Sequence, residues 1–239
     1  MMTGYVVATS LRTILMIGAE PALLLAALGL VAGTAVEGAV AAYRRDRSFW
    51  PWPLWRHSRI GRLLLVQVIT AATFYGLAVQ YVSEPPLLVI AAVESTLLIA
   101  LLVIDLDLRL IPTLPVGVLA LLALTSAEEW PGLGLGSALL GGVLGFASFV
   151  LLAAVGHRVF GEKVLGAGDA SLALVIGCMT GYPLVVATLA LGIFLGGVGA
   201  GAVLLLGRGE LRGTMPYGPA LIAAVLIVLV HGNTAQPFL

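Results

Sequence analysis

Two aspartates, Asp105 and Asp169, stand out in an otherwise apolar chain. Asp105 ends the apolar run Leu97–Ile104, and Asp169 closes the stretch Gly166–Asp169. A carboxylate at membrane depth is energetically costly, so an acidic residue in such a place is a candidate functional residue. Two carboxylates that meet can share one proton, activate a water molecule and hydrolyse a peptide bond. The pair therefore predicts hydrolytic chemistry, provided that the fold brings the two side chains together.

A purely structural interpretation of the first aspartate is also open. Asp105 and Asp107 could both be solvated loop residues, with Arg109 as their ionic partner. We adopt that interpretation for Asp107, whereas for Asp105 both interpretations stay open at this point.

The second aspartate could simply cap a helix. A helix beginning at Ala170 would have free N–H groups in its first turn, and the Asp169 carboxylate could accept hydrogen bonds from them. The two glycines before it favour a larger role. Gly166 and Gly168 have no Cβ atoms, so another backbone, such as a substrate strand, could approach closely.

The composition is that of a membrane protein. Of the 239 residues, 60% are hydrophobic and only 10% are charged, and the mean hydropathy is +1.11. The formal net charge is zero, which gives no indication of nucleic-acid binding. The single cysteine, Cys178, excludes an intrachain disulfide and any multi-cysteine metal site. We expect no removable signal peptide, because a short apolar region with a small-residue cleavage site is missing.

Apolar segments of membrane-helix character recur along the whole chain, and we expect an all-α polytopic fold with about eight transmembrane helices. Two of the segments, those that follow the two aspartates, are short for a spanning helix. The predicted segments are Ile14–Ala42, Arg62–Val82, Leu87–Ile104, Pro112–Thr125, Gly134–Val155, Ala170–Gly181, Leu184–Leu206 and Tyr217–Val230.

The basic residues predict how the chain crosses the membrane. With eight spans, alternate loops share a side, and every lysine and arginine except Arg12 falls on one of the two sides. Basic residues accumulate in cytoplasmic loops. We therefore expect both termini outside and the loops that carry Asp105 and Asp169 in the cytoplasm. The glycine pairs Gly192/Gly196 and Gly197/Gly201 predict close helix packing.

Other catalytic arrangements fit the sequence poorly. His57, His157 and His231 are scattered and form no zinc motif. Serines such as Ser148 and Ser171 lack a nearby base, and helical serines usually bond their own backbone. We therefore expect neither a metal nor a nucleophilic serine.

Three motifs, in order along the chain, resemble those of the type IV prepilin peptidases. The segment Ile104–Pro112 resembles their first-aspartate motif, and Gly161–Asp169 resembles their GxGD motif, which presenilin-type proteases share. The segment Met215–Pro219 is similar to their late Pro-Phe-Gly-Pro element. The resemblance implies that Asp105 and Asp169 are catalytic. It also implies supporting or substrate-binding roles for Gly166, Gly168, Pro112, Pro216, Gly218 and Pro219.

The chain departs from that family after its first helix. The family usually carries a cytosolic insert there with two zinc-binding Cys-x-x-Cys pairs, whereas this chain has about Tyr43–Gly61, a short basic loop without cysteine. We therefore expect a single membrane domain over residues 1–239 and no cofactor. We also expect no methyltransferase activity, because N-methylation is associated with that insert in the bifunctional members of the family.

The resemblance implies a membrane-embedded aspartic endopeptidase of the cell inner (plasma) membrane. Its protein substrates would be prepilin-like precursors, cut at the cytoplasmic face of the lipid bilayer. Two alternatives stay open: a GxGD protease for other membrane peptides, and a non-catalytic component that uses Asp105, Asp169 and Glu94 to carry protons. Within a dyad, the helix ends predict that Asp105 holds the proton and Asp169 is ionised.

Overall fold

The chain folds as a set of helices, and the connections that the structure describes in full are short. The computed structural model describes residues 3–43, 59–160, 166–205 and 217–231. Every regular element in these ranges is an α-helix, which confirms the all-α fold class. The helices are α1 (Thr3–Tyr43), α2 (Arg59–Tyr81), α3 (Pro85–Leu108), α4 (Thr113–Thr125), α5 (Gly134–Phe160), α6 (Ala167–Thr180), α7 (Leu184–Leu205) and α8 (Gly218–His231).

The eight apolar segments of the sequence correspond to these eight helices in order. Five helices contain stretches that are long and apolar enough to cross a membrane: α1, α2, α3, α5 and α7. The helices α4 and α6 are short, as predicted, and α8 is a third short one that the sequence analysis did not single out. The protein is therefore a multi-pass membrane protein. Most of the loop at about Tyr43–Gly61 lies outside the described residues.

Proline and backbone geometry delimit the helix that carries Asp105. α3 begins at Pro85, and a proline in a first turn sacrifices no intrahelical hydrogen bond. The helix ends where Arg109 adopts a left-handed conformation (φ 50°, ψ 38°) and donates its N–H to the Asp105 carbonyl at 2.8 Å. Pro112 then precedes α4 with an extended backbone. The helix thus ends three residues after Asp105.

Helix α6, which begins just before Asp169, is held against α5 by a close backbone contact. A Cβ atom on Gly177 would lie 2.8 Å from the Gly142 nitrogen, and one on Gly141 would lie 2.8 Å from the Gly181 Cα. Glycine at these positions lets the two helices approach more closely than larger residues would allow. This contact fixes the axis of α6 and so the direction in which its first turn points.

The predicted glycine packing in α7 is half right. Cβ atoms on Gly192 and Gly196 would meet Leu221 and Tyr217 of the α8 segment, as close packing requires. For the second pair, Gly197 and Gly201, no described residue lies within 4 Å of the corresponding positions, so within the described part of the chain that prediction is wrong. Spacing alone shows that two glycines share a helix face, but not whether a neighbouring helix covers it.

Replacing Gly177 by alanine is predicted to destabilise the protein. Overpacking of a tight contact costs about 1–3 kcal/mol, which outweighs the roughly 0.5–1 kcal/mol that alanine gains over glycine within a helix. The melting temperature in detergent measures the effect. Gly136→Ala on α5 is the matched control, because no residue that the structure describes lies within 4 Å of its Cβ position. Equal melting temperatures for the two variants would contradict the packing account.

The predicted membrane orientation can be tested at described, exposed positions. Leu110 follows α3 and is 52% exposed, and Glu129 is exposed between α4 and α5. In a Cys178→Ala background, Leu110→Cys is expected to resist an impermeant thiol reagent in intact cells. Glu129→Cys is expected to react. The reverse labelling pattern would overturn the orientation.

Candidate active site

Asp105 lies in the last turn of α3 and is almost completely buried. Asp105 is 4% exposed, and its Oδ2 has no hydrogen-bond partner among the described residues. The backbone carbonyl of the same residue accepts the capping N–H of Arg109. The side chain is therefore presented at the C-terminal end of the helix, where the helix dipole is negative.

Asp169 lies in the first turn of α6. Gly166 precedes the helix with an extended backbone (φ −81°, ψ 154°), and its N–H donates to Asp169 Oδ2 at 3.1 Å. This is the N3 half of a capping box. The interpretation of Asp169 as the cap of a helix beginning at Ala170 is wrong in its position, because the helix begins at Ala167 and Asp169 bonds back to its N-cap, Gly166. The residue is half-buried. Burial raises the pKa of the Asp169 carboxyl, and the hydrogen bond from Gly166 opposes that rise.

The Ile111 side chain packs against the start of α6, which carries Asp169, and against the start of α8. A Cβ atom on Gly168 would lie 3.0 Å from the Ile111 Cβ, and one on Gly218 would lie 3.4 Å from the Ile111 Cδ1. The Gly218 position also lies directly against Asp105 Oδ2. The C-terminal end of α3 and the N-terminal ends of α6 and α8 thus meet at one end of the helix bundle.

The two carboxyl groups are close enough for the charge of one to act on the other. A negative charge on Asp169 repels one on Asp105, and the guanidinium of Arg109 partly offsets that repulsion. Two carboxylates in such a relation do not readily ionise together. The arrangement can therefore hold one proton between two acids, which is the requirement for acid–base chemistry on a bound water.

The predicted supporting residues have distinct positions. Pro112 precedes α4, and Pro219 is the second residue of α8, where proline suits a helix start. Pro216 lies outside the described residues. The room beside Gly168, which we expected a substrate strand to use, is occupied by Ile111, so this glycine serves packing within the protein.

The interpretation of Asp107 as a solvated loop residue is wrong. Asp107 belongs to α3, is 4% exposed, and its Oδ2 lies 3.8 Å from Nη1 of Arg62. Arg62 also forms an ion pair with Glu37 of α1. Because each of the three charges lies on a different helix, their proximity has no signature in local sequence. The signal that was available is that Glu37 and Arg62 fall inside or at the edge of apolar segments.

Competing chemistries gain no support from the described residues. Within residues 3–43, 59–160, 166–205 and 217–231, no group of three or more His, Cys, Asp or Glu is arranged to hold a metal ion. The hydroxyls of Ser148 and Ser171 donate to the carbonyls of Gly145 and Ala167, as expected of helical serines. Glu94 is buried far from the dyad and is paired with Ser126.

Comparison with known proteins agrees with the motifs. Residues 92–201, a stretch that contains both aspartates, match the type IV leader peptidase family. A prepilin leader peptidase/N-methyltransferase of Bacillus subtilis is 27% identical over 178 residues, which cover 72% of this chain and 67% of that protein. No solved structure matches. Both findings support the assignment to the type IV leader peptidase family that the motifs predicted.

The contact between Gly218 and Asp105 makes a specific prediction. In Gly218→Ala the new methyl group overlaps the Asp105 carboxyl, which can turn away because it is the free end of a side chain. We therefore expect peptidase activity to fall about 10²-fold, the effect of a misplaced reacting group, with little change in melting temperature. Gly117→Ala, which enters open space, is the matched control. Full activity in Gly218→Ala would contradict the proposed importance of this contact.

Proposed function

We propose that the protein is a membrane-embedded aspartic endopeptidase in which Asp105 and Asp169 form the catalytic dyad. The observation that carries the proposal is their placement at meeting helix ends, where the Asp105 carboxyl is subject to the charge of Asp169. The family assignment supports peptidase activity. The name of the Bacillus subtilis relative supports prepilin-like precursors as substrates.

The proposed reaction needs only the two carboxyl groups and one water molecule. The ionised carboxylate accepts a proton from water while the oxygen of that water adds to the scissile carbonyl carbon. The protonated carboxyl gives its proton to the carbonyl oxygen, which yields a neutral tetrahedral intermediate. The carboxyl that took a proton from water then gives it to the peptide nitrogen, while the other carboxylate takes a proton from a hydroxyl of the intermediate. The C–N bond breaks, a carboxylic acid and an amine leave, and the dyad again holds one proton.

The helix ends support an assignment of the two roles. Asp169 accepts the Gly166 N–H at the positive end of α6, which favours its ionised form. Asp105 lies at the negative end of α3 and is the more deeply buried of the two. Each helix end changes the free-energy difference between the ionised and the neutral carboxyl by about 0.3–1 kcal/mol, and by up to about 2 kcal/mol when the group is partly buried. We propose that Asp105 is the acid and Asp169 the base.

The location of the dyad suits a substrate with an apolar helix next to the cleavage site. Such a helix would lie within the bilayer, and its scissile bond would lie at the membrane face where α3 ends and α6 begins. We propose that this face is cytoplasmic and that the membrane is the plasma membrane, because the basic residues accumulate on that side. Methyl transfer is not part of the proposal.

The proposal predicts that both aspartates are required for cleavage. Asp105→Asn and Asp169→Asn are each expected to lower the rate of cleavage of a prepilin-like precursor by roughly 10²–10⁴-fold, because each removes one proton-transfer step. The double variant should be no slower than the worse single variant, since the two groups act as a unit. Mass spectrometry of the products made by purified protein in lipid measures the rates.

Glu94→Gln is the matched control, because it removes a buried carboxyl from the same helix as Asp105. Its cleavage rate should equal that of the wild type. Substantial activity in either aspartate variant would remove that residue from the mechanism. Absence of cleavage by the wild-type protein, accompanied by proton flux that Glu94→Gln abolishes, would favour the proton-carrying alternative.

A further inference from the structure

Three charged side chains are buried together beside the last turn of α3, and each comes from a different helix. They are Glu37 of α1, Arg62 of α2 and Asp107 of α3, with exposed fractions of 8%, 7% and 4%. Arg62 pairs with Glu37 through Nη2, and its Nη1 lies 3.8 Å from Asp107 Oδ2. One guanidinium thus bridges two carboxylates in what we call the Glu37–Arg62–Asp107 cluster.

Stability alone does not explain such a cluster. Taking three charges out of water is costly, and apolar side chains of similar volume often stabilise a protein equally well or better. A guanidinium, however, presents its N–H donors in a planar fork with fixed directions. Arg62 donates a hydrogen bond to Glu37, and its charge attracts Asp107 at 3.8 Å, so the guanidinium restricts how the three helices lie relative to one another. The cluster is better suited to fixing geometry than to adding stability.

The geometry in question is that of the turn that presents Asp105. Asp105 and Asp107 are two residues apart, so about 200° of helix rotation separates them. When Asp107 is held toward α1 and α2, Asp105 points to the opposite side of α3, where Gly218 of α8 lies. The turn is also the last one before the left-handed Arg109, at a helix end where fraying is common.

We propose that Arg62, Glu37 and Asp107 are positioning residues that fix the last turn of α3 and thereby hold the Asp105 carboxyl against Gly218 and within reach of Asp169. The proposal rests on the proposed function in so far as it predicts an effect on cleavage. It assigns the hairpin of α1 and α2 a part in the reaction although neither helix carries an aspartate of the dyad.

Steady-state kinetics test the effect on catalysis. Asp107→Asn and Arg62→Gln are expected to lower kcat by about 10²-fold, the effect of displacing a reacting group by roughly 1 Å, with KM essentially unchanged. Glu94→Gln is the control for loss of a buried carboxyl from the same helix. Glu94 is eleven residues before Asp105, or about 16 Å along the helix axis. The kcat of Glu94→Gln should therefore equal that of the wild type.

Amide hydrogen exchange tests the positioning itself without reference to any activity. The Arg109 N–H donates to the Asp105 carbonyl at 2.8 Å and reports whether the last turn is closed. In Asp107→Asn and Arg62→Gln, exchange in residues 106–109 should be about tenfold faster than in the wild type, because the turn opens locally. In Glu94→Gln it should be unchanged.

A triple variant separates positioning from stability. Glu37→Leu, Arg62→Met and Asp107→Leu together replace all three charged side chains of the cluster by apolar ones. We expect this protein to melt at or above the wild-type temperature, yet to keep the low kcat and the fast exchange of the single variants. Wild-type kcat and exchange in the triple variant would show that the cluster only fills space, and would overturn the proposal.

The remaining outcomes are also decisive. Unchanged exchange in both single variants would overturn the positioning role, and faster exchange with unchanged kcat would overturn its importance for catalysis. If the wild-type protein cleaves no prepilin-like precursor, the proposed function fails. The exchange measurements then still decide whether the cluster fixes the turn.

Discussion

The close approach of three helix ends around Ile111 is the constraint on which the candidate site depends. α3 ends, and α6 and α8 begin, within contact of this one side chain, and Gly168 and Gly218 make the approach possible because they lack a Cβ. Opposite ends of helices have opposite partial charges. The same meeting therefore brings two carboxyl groups near one another, which favours one shared proton, and gives them different surroundings, which favours one of the two as its holder.

A second requirement is that the site be held in place within an apolar bundle. Hydrophobic contacts between membrane helices are weakly directional, because lipid is as apolar as the side chains. The structure supplies direction in two other ways. The glycine contact between α5 and α6 fixes α6, and the Glu37–Arg62–Asp107 cluster joins α3 to α1 and α2. Each aspartate is thus carried by a helix with its own anchor.

Much of this structure could be predicted from the sequence, because local patterns determine where membrane helices begin and end. The eight apolar segments, the position of Asp105 at the end of α3 and that of Asp169 in the first turn of α6 all followed from such patterns. The errors concern contacts between helices. The sequence predicts a solvated Asp107 and a packed Gly197/Gly201 pair. Both properties depend on which neighbour faces the residue, which no local pattern records.

The dependence of the cleavage rate on pH tests the shared-proton dyad most directly. A pair of carboxyl groups that works only with one proton between them gives a kcat/KM that falls on both the acidic and the alkaline side of an optimum. Purified protein in lipid, assayed with one prepilin-like precursor over a wide pH range, should give this bell-shaped profile. A rate that rises with pH to a plateau, as a single base or a serine nucleophile would give, would contradict a mechanism based on Asp105 and Asp169.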